Sequence, residues 1–344
     1  MKSSLDEIGF YTMQENRVRN VSLKTAMKRC EMIIIEACNF SCPYCRGLSN
    51  EIYGNRSRKM LSLEEIKRNI DYWCEDLPLE NIRFSGGEPT LHPDIVEVVA
   101  YAKSKGIKRI AISTNGSSSR NKYQQLIDAG ANDFSISLDG CCAETVEKMS
   151  GGIKGAFDII SDNIRFLSSV TYVTVGVVLT VENVQQTLNT VYFADSLGVS
   201  DIRLISAAQW DKPVEALGNI PEEMLNKYPI LKYRSENFIN GNNKVRGMSD
   251  SDSSYCGLMW DDSVIAGDYH FPCVIYMREG GSPIGKVGPK MREARKEWAD
   301  SHNTHDDPIC MKNCLDTCKD YNNKFIEYHP DVNRSNRKRL PIVK

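Results

Sequence analysis

From about residue 30 to residue 208, short runs of β-branched residues alternate with segments whose apolar positions recur every three or four residues. Period two marks strands and period 3.6 marks helices, so the pattern predicts alternating β and α units. Strands are predicted at 32–36, 82–85, 109–113, 133–138, 172–180 and 202–206. Ser62-Leu63-Glu64-Glu65 has the form of a capping box, opening a helix with Ile66, Ile70 and Trp73 on one face. Segment 94–105 carries Ile95, Val98, Val99 and Ala102 and stops at Gly106. Segments 122–129 and 184–197 stop at Gly130 and Gly198, and 157–167 keeps Ile160, Ile164 and Leu167 in register. Glycine is the usual residue just past a helix end. Six βα units imply a parallel sheet covered by helices. The expected fold class is α/β, a partial (β/α)6 TIM-like barrel, because eight units would be needed to close it. Chemistry in such folds sits just after each strand.

The pattern divides the chain into an N-terminal extension (1–30), the barrel (31–208), a connector (209–254), a cysteine-bearing module (255–325) and a basic tail (326–344). The connector reads as irregular, with Pro213, Pro221, Pro229 and a Gly241-Asn242-Asn243 turn. The whole chain has 344 residues, enough for a large core. Its 43 Lys+Arg against 45 Asp+Glu leave no basic footprint for nucleic acid, so no such partner is expected. No apolar run approaches the roughly 20 residues of a membrane helix, and residues 1–20 lack the apolar stretch of a signal peptide. A soluble cytoplasmic protein is the expectation. Twelve cysteines change the picture, because in a chain without a secretion signal clustered thiols read as metal ligands or redox groups.

Three of them follow the first strand as Cys38-Asn39-Phe40-Ser41-Cys42-Pro43-Tyr44-Cys45. Thiolates at C-x3-C-x2-C can hold three corners of a 4Fe–4S cluster, leaving one iron open. Zinc and free thiols are the competing readings, although structural zinc wants four ligands. After the second strand comes Ser85-Gly86-Gly87-Glu88-Pro89, then Ser113-Thr114-Asn115-Gly116 and Ser135-Ile136-Ser137-Leu138-Asp139-Gly140 at later strand ends. In this order and placement the chain resembles the radical S-adenosylmethionine (radical SAM) superfamily. The resemblance implies a SAM-binding 4Fe–4S cluster on Cys38, Cys42 and Cys45, with the methionyl group of SAM on the open iron. It further implies that Tyr44 lies beside the adenine and that Gly86 and Gly87 allow close approach of the methionyl group. Glu88, followed by Pro89, would pair with the methionyl ammonium. Asn115, Ser137 and Asp139 would meet the ribose hydroxyls. Helix capping by Ser137 and an Asx turn at Asp139 are the competing roles.

Five more thiols lie at Cys256, Cys273, Cys310, Cys314 and Cys318. With Gly267 between the first two, the segment resembles the auxiliary-cluster module called SPASM or, when shorter, twitch. It would hold a second 4Fe–4S cluster, with tetrahedral zinc as the alternative. Five residues separate Gly267 from Cys273 where the usual gap is four, which suggests a bulged hairpin. Five cysteines exceed four ligands by one. One of Cys310, Cys314 and Cys318 is therefore a candidate hydrogen donor, or an inert buried thiol. Cys30, Cys74, Cys141, Cys142, His92 and His270 are read as structural.

The resemblance implies reductive cleavage of SAM to a 5′-deoxyadenosyl radical that removes a carbon-bound hydrogen. The surplus thiol favours a redox-neutral epimerase or isomerase. A twitch-type dehydrogenase and radical modification of a peptide or nucleotide are the alternatives. With about 30 residues before the first strand, a leader-binding domain is not expected, which points to a small polar substrate of sugar or nucleoside type. An electron donor such as flavodoxin or ferredoxin is the expected partner.

Overall fold

The concave sheet is laid down in chain order. In the computed structural model, which describes residues 15–46, 60–75, 77–208, 210, 215–242 and 245–332, six parallel strands succeed one another. They are β1 (Arg29–Ile35), β2 (Asn81–Gly86), β3 (Arg109–Thr114), β4 (Asp133–Ser137), β5 (Tyr172–Leu179) and β6 (Asp201–Ser206). Each lies within three residues of the stretch its periodicity predicts. Alternation sorts the side chains: Met32, Ile34, Phe84, Ile112, Phe134, Val175 and Leu204 are buried against the helices, so Glu31, Arg83, Ser135, Gly176 and Arg203 face the lumen. This is the partial (β/α)6 barrel.

The helix signals operate as read. Helix Leu63–Cys74 opens with the capping box: Ser62 N donates to Glu65 Oε2 at 2.7 Å and Glu65 N to Ser62 Oγ at 3.3 Å. Helices Ile95–Ser104, Arg120–Ala129 and Thr187–Ser196 end before Gly106, Gly130 and Gly198, all at positive φ. The last begins later than its periodicity predicts, behind a 3-10 turn at Val184–Gln186. The reason is local: the Asn183 side chain donates to the Asp139 and Val178 carbonyls, both at 2.9 Å, and fixes a different entry.

The C-terminal part is joined to the barrel through the sheet. β7 (Asp262–Ala266) pairs parallel with β1 on the side away from β2, and β8 (Tyr269–Phe271) and β9 (Gly285–Lys286) extend the sheet antiparallel to nine strands. The β7–β8 hairpin has no bulge. Val264, Ile265 and Ala266 face Phe271, His270 and Tyr269 in unbroken register around Gly267, and the extra residue is Pro272, beyond the strand. The connector is also more regular than its prolines suggest. Pro221 is the N-cap of helix Glu222–Lys227 and Pro229 the first residue of helix Pro229–Asn237. Both are places where a missing N–H costs nothing, so these prolines start helices instead of breaking them. Helix Pro229–Asn237 covers the β6 edge, where the buried Asp201 carboxylate accepts Ile230 N at 3.1 Å.

Helix Glu15–Asn20 packs onto the C-terminal part of the chain. Val18 and Val21, in and after helix Glu15–Asn20, are buried with Tyr255, Leu258, Met259, Tyr321 and Phe325. Arg17 reaches the fully buried Asp261, with Nε 2.8 Å from Oδ2. Helix Asp316–Tyr328 carries the end of the module, and the basic residues after Val332 lie outside the described part. No helix among the described residues is long and apolar enough to cross a membrane.

Candidate functional site

The loop after β1 carries Cys38 and Cys45 exposed and Cys42 half-buried. Backbone contacts hold it in place: Ser41 N donates to Ser150 O at 3.1 Å and Cys45 N to Cys42 O at 2.9 Å. Burial, then the charges of Asp139, Cys45 and Cys38, push the Cys42 thiol up to about 12, and burial raises Cys38. Three thiols gathered on one short loop, two of them raised by burial, are the soft donors that an iron–sulfur centre takes. On that donor chemistry the residues fit the 4Fe–4S cluster.

Gly86 and Gly87 have a different primary reason from the one expected. A Cβ on Gly86 would stand 2.0 Å from the Ile35 carbonyl oxygen, and one on Gly87 would stand 2.2 Å from that of Ala37. Gly87 N donates to Ile35 O at 2.7 Å and Glu88 N to Ala37 O at 2.9 Å. The glycines are thus required by the chain's own crossing of β1 and β2, which locks the GGE turn under the cysteine loop.

Glu88 is fully buried. Its Oε1 accepts Thr90 N (3.0 Å), Thr90 Oγ1 (2.6 Å) and Thr114 Oγ1 (2.8 Å), and its Oε2 accepts Asn115 N (2.7 Å). These neutral donors aim the carboxylate, and Pro89 begins the short 3-10 turn that Glu88 caps. Burial nonetheless raises its pKa, so an ammonium partner would be welcome there. Asn115 Nδ2 bonds Asn39 Oδ1 at 2.9 Å and approaches Cys38 Sγ at 3.9 Å, tying the β3 end to the loop. Ser137 is exposed at the C-terminal end of β4. Asp139 is buried with both oxygens engaged: the Tyr44 hydroxyl donates to Oδ2 and Val178 N to Oδ1 at 2.7 Å. Asp139 therefore fastens Tyr44, and through it the cysteine loop, to β5.

The second thiol group converges in space. Cys256 precedes a 3-10 turn, Cys273 caps helix Val274–Arg278, Cys310 lies in helix Pro308–Asn313, Cys314 follows it and Cys318 lies in helix Asp316–Tyr328. None is in a disulfide. Burial and then the Cys318 charge push Cys256 to about 12, and burial with the charges of Cys318 and Cys256 raises Cys273. The thiols of Cys314 and Cys318 act on each other, raising Cys314 and lowering Cys318. Asn322 Nδ2 lies 3.9 Å from Cys256 Sγ, and Tyr276 N donates to Cys273 Sγ at 3.4 Å. This donor set fits a metal centre.

Two residues here were not singled out from sequence. His302 Nε2 lies 3.9 Å from Cys310 Sγ and 3.5 Å from Asp307 Oδ2, and its ring stacks on Trp298 at 3.9 Å. The signals were an aromatic four residues before a histidine and the Asp-Pro start of a helix. Neither marks a site without the fold. Cys30, Cys141 and His92 are engaged elsewhere: Cys30 is buried within β1, Cys141 Sγ faces Gln186 and His92 Nε2 sits 2.8 Å from Leu61 O.

Residues 32–194 match the family model of the Radical SAM superfamily. The chain thus carries a stretch, just under half of its length, that matches this superfamily. It is 34% identical over 119 residues to a GTP 3',8-cyclase of Synechococcus elongatus, covering 34% of this chain and 36% of that one. A probable GTP 3',8-cyclase of Saccharolobus islandicus is 28% identical over 176 residues, covering 50% and 54%. The matched stretch is thus about a third to a half of the length of these curated relatives. Among solved structures, anSMEcpe with bound AdoMet aligns with a TM-score of 0.57 at 15% identity, covering 92% of this chain and 96% of that one. SuiB of Streptococcus suis with S-adenosylmethionine aligns at 0.55 and 14% identity, covering 80% and 66%. At such identities these structures bear on the fold alone.

Proposed function

We propose that the chain is a SAM-cleaving enzyme that abstracts a carbon-bound hydrogen from a small polar substrate. The observation carrying this reading is the locked pairing of the Cys38–Cys42–Cys45 loop with the Gly86-Gly87-Glu88 turn. When bound to those thiolates, a 4Fe–4S cluster would supply the electron that splits SAM to methionine and a 5′-deoxyadenosyl radical. Glu88 would receive the methionyl ammonium, Tyr44 would flank the adenine, and Asn115 and Ser137 would meet the ribose. Asp139, with both oxygens in use, would act by holding Tyr44. A flavodoxin or ferredoxin would be the electron source.

The auxiliary centre would be held by Cys256, Cys273, Cys314 and Cys318 in a twitch-like module. Cys310, beside His302 and Asp307, is then the surplus thiol. In the redox-neutral reading its S–H bond breaks as a C–H bond forms on the substrate radical, and one electron from the external donor plus one proton restore the thiol. A second reading, radical rearrangement of a nucleotide, is favoured by the cyclases among the relatives.

Anaerobically reconstituted protein is expected to release 5′-deoxyadenosine from SAM under reduction, and Cys42→Ala to release none. Continued release by the variant would overturn the assignment. In deuterated water, solvent deuterium at the product carbon supports Cys310 as donor, and a product two hydrogens lighter replaces that step with dehydrogenation.

A further inference from the structure

The lumen under the cysteine loop holds an excess of guanidinium groups. Several are matched: Arg29 Nε lies 2.9 Å from Asp262 Oδ1, Arg278 Nη2 lies 3.4 Å from Glu31 Oε1, and Arg46 and Arg234 pair with Glu279 and Asp316. Those pairings engage the nearby carboxylates. Arg83, Arg203 and Arg246 are left with no ion pair among the described residues, and Arg83 Nε, Arg203 Nε and Arg246 Nη1 are shut off from solvent without a hydrogen-bond partner. Buried N–H groups on a charged side chain are costly to leave unmade, so such groups call for an explanation.

Packing does not supply one. Arg295, also buried, uses its N–H groups on the carbonyls of Met259 (3.0 Å), Phe271 (2.8 Å) and Pro272 (3.0 Å), as a structural arginine does. Among the described residues Arg203 makes a single long hydrogen bond, 3.4 Å to Ser135 Oγ. It lies across Gly176, where a Cβ would stand 3.1 Å from its Nη2, so the neighbouring strand leaves it room. Arg246 is tethered to the C-terminal end of β6 through Ser206 O at 3.1 Å. Burial, then repulsion from Arg83 and Arg234, pulls Arg203 down to about 9. Arg203 feels the charge of Arg83 across the lumen, and Arg203 and Arg246 both feel that of Arg234, with Arg246 held at the C-terminal end of the strand that carries Arg203.

We propose that Arg83, Arg203 and Arg246 form an oxyanion-binding site in the lumen, so that the substrate carries a phosphate or carboxylate group distinct from the carboxylate of SAM. Planar guanidinium forks match both groups. The inference rests on the proposed function only for what is done to the ligand, because anion binding is read without turnover.

The test uses reconstituted holoprotein with saturating SAM, titrated calorimetrically with inorganic phosphate in one arm and succinate in the other at constant ionic strength. Binding in either arm is expected, the stronger arm naming the group, with Arg83→Gln and Arg203→Gln weaker by about ten- to a hundredfold. Arg203→Lys should retain part of the affinity. Removing an unpaired charge should also leave the melting temperature of ligand-free Arg203→Gln equal to or above that of the parent, which a structural arginine would not allow. No saturable binding in either arm, equal binding by the variants, or binding seen only without SAM would each overturn the proposal. Continued 5′-deoxyadenosine release by Cys42→Ala would overturn the SAM reading and leave these readouts unaffected, so the two readings can fail separately.

Discussion

Asp201 illustrates what single side chains do here. It stands at the start of β6, buried, with Ile230 N and Ile202 N donating to it. Burial outweighs those bonds and raises it to about 7. A carboxyl that holds its proton better folded than unfolded favours folding below its unfolded value of roughly 3.9, and that contribution fades as pH rises. The loss is complete once pH passes about 7. Thermal melting of Asp201→Asn should therefore improve relative to the parent between these limits, and an unchanged difference would refute the buried-carboxyl account. Asp201 and Glu88 show why residue roles were only partly legible. Glu88 sits in a motif and could be named from its neighbours in the chain. Asp201 caps a helix whose first turn begins 28 residues later, and no local pattern announces that.

Among elements, the junction of β1 and β2 decides whether a site exists. The two strands are far apart in sequence, yet Gly87 N donates to Ile35 O at the end of β1, Glu88 N donates to Ala37 O just past it, and neither glycine leaves space for a Cβ. Gly87→Ala is accordingly expected to lower the melting temperature and the iron bound, in the absence of SAM. Intact iron loading with only a weaker SAM interaction would return the glycine to its role of admitting the methionyl group. The strands and most helix ends were legible because their signals are local: β-branched runs, a Ser–Glu capping box, glycines at positive φ. The connector was misread for an equally local reason. Proline marks a break or a helix start, and only the hydrogen bonds around it say which.

For the whole molecule, the first and last of the described helices pack on each other. Helix Glu15–Asn20 and helix Asp316–Tyr328 share one buried apolar cluster, and Arg17 compensates Asp261, which also accepts the Tyr321 hydroxyl at 3.1 Å. Arg17→Met leaves that buried carboxylate with a neutral donor only. It is expected to cost roughly 3 kcal/mol in urea unfolding and to deplete iron from the auxiliary thiols before the Cys38–Cys42–Cys45 site. Equal loss from both would refute a local coupling. The order of the strands, the helices between them and the cysteine motif after β1 were written in neighbouring residues, where periodicity, capping and ligand spacing act over a few positions. Contacts across tens or hundreds of residues were not: β7 joining β1, Cys310 meeting His302 and Asp307, and Arg83 and Arg203 facing one lumen. Those follow from how the packed layers bury apolar surface and distribute charge, and that is settled only once the chain has closed on itself.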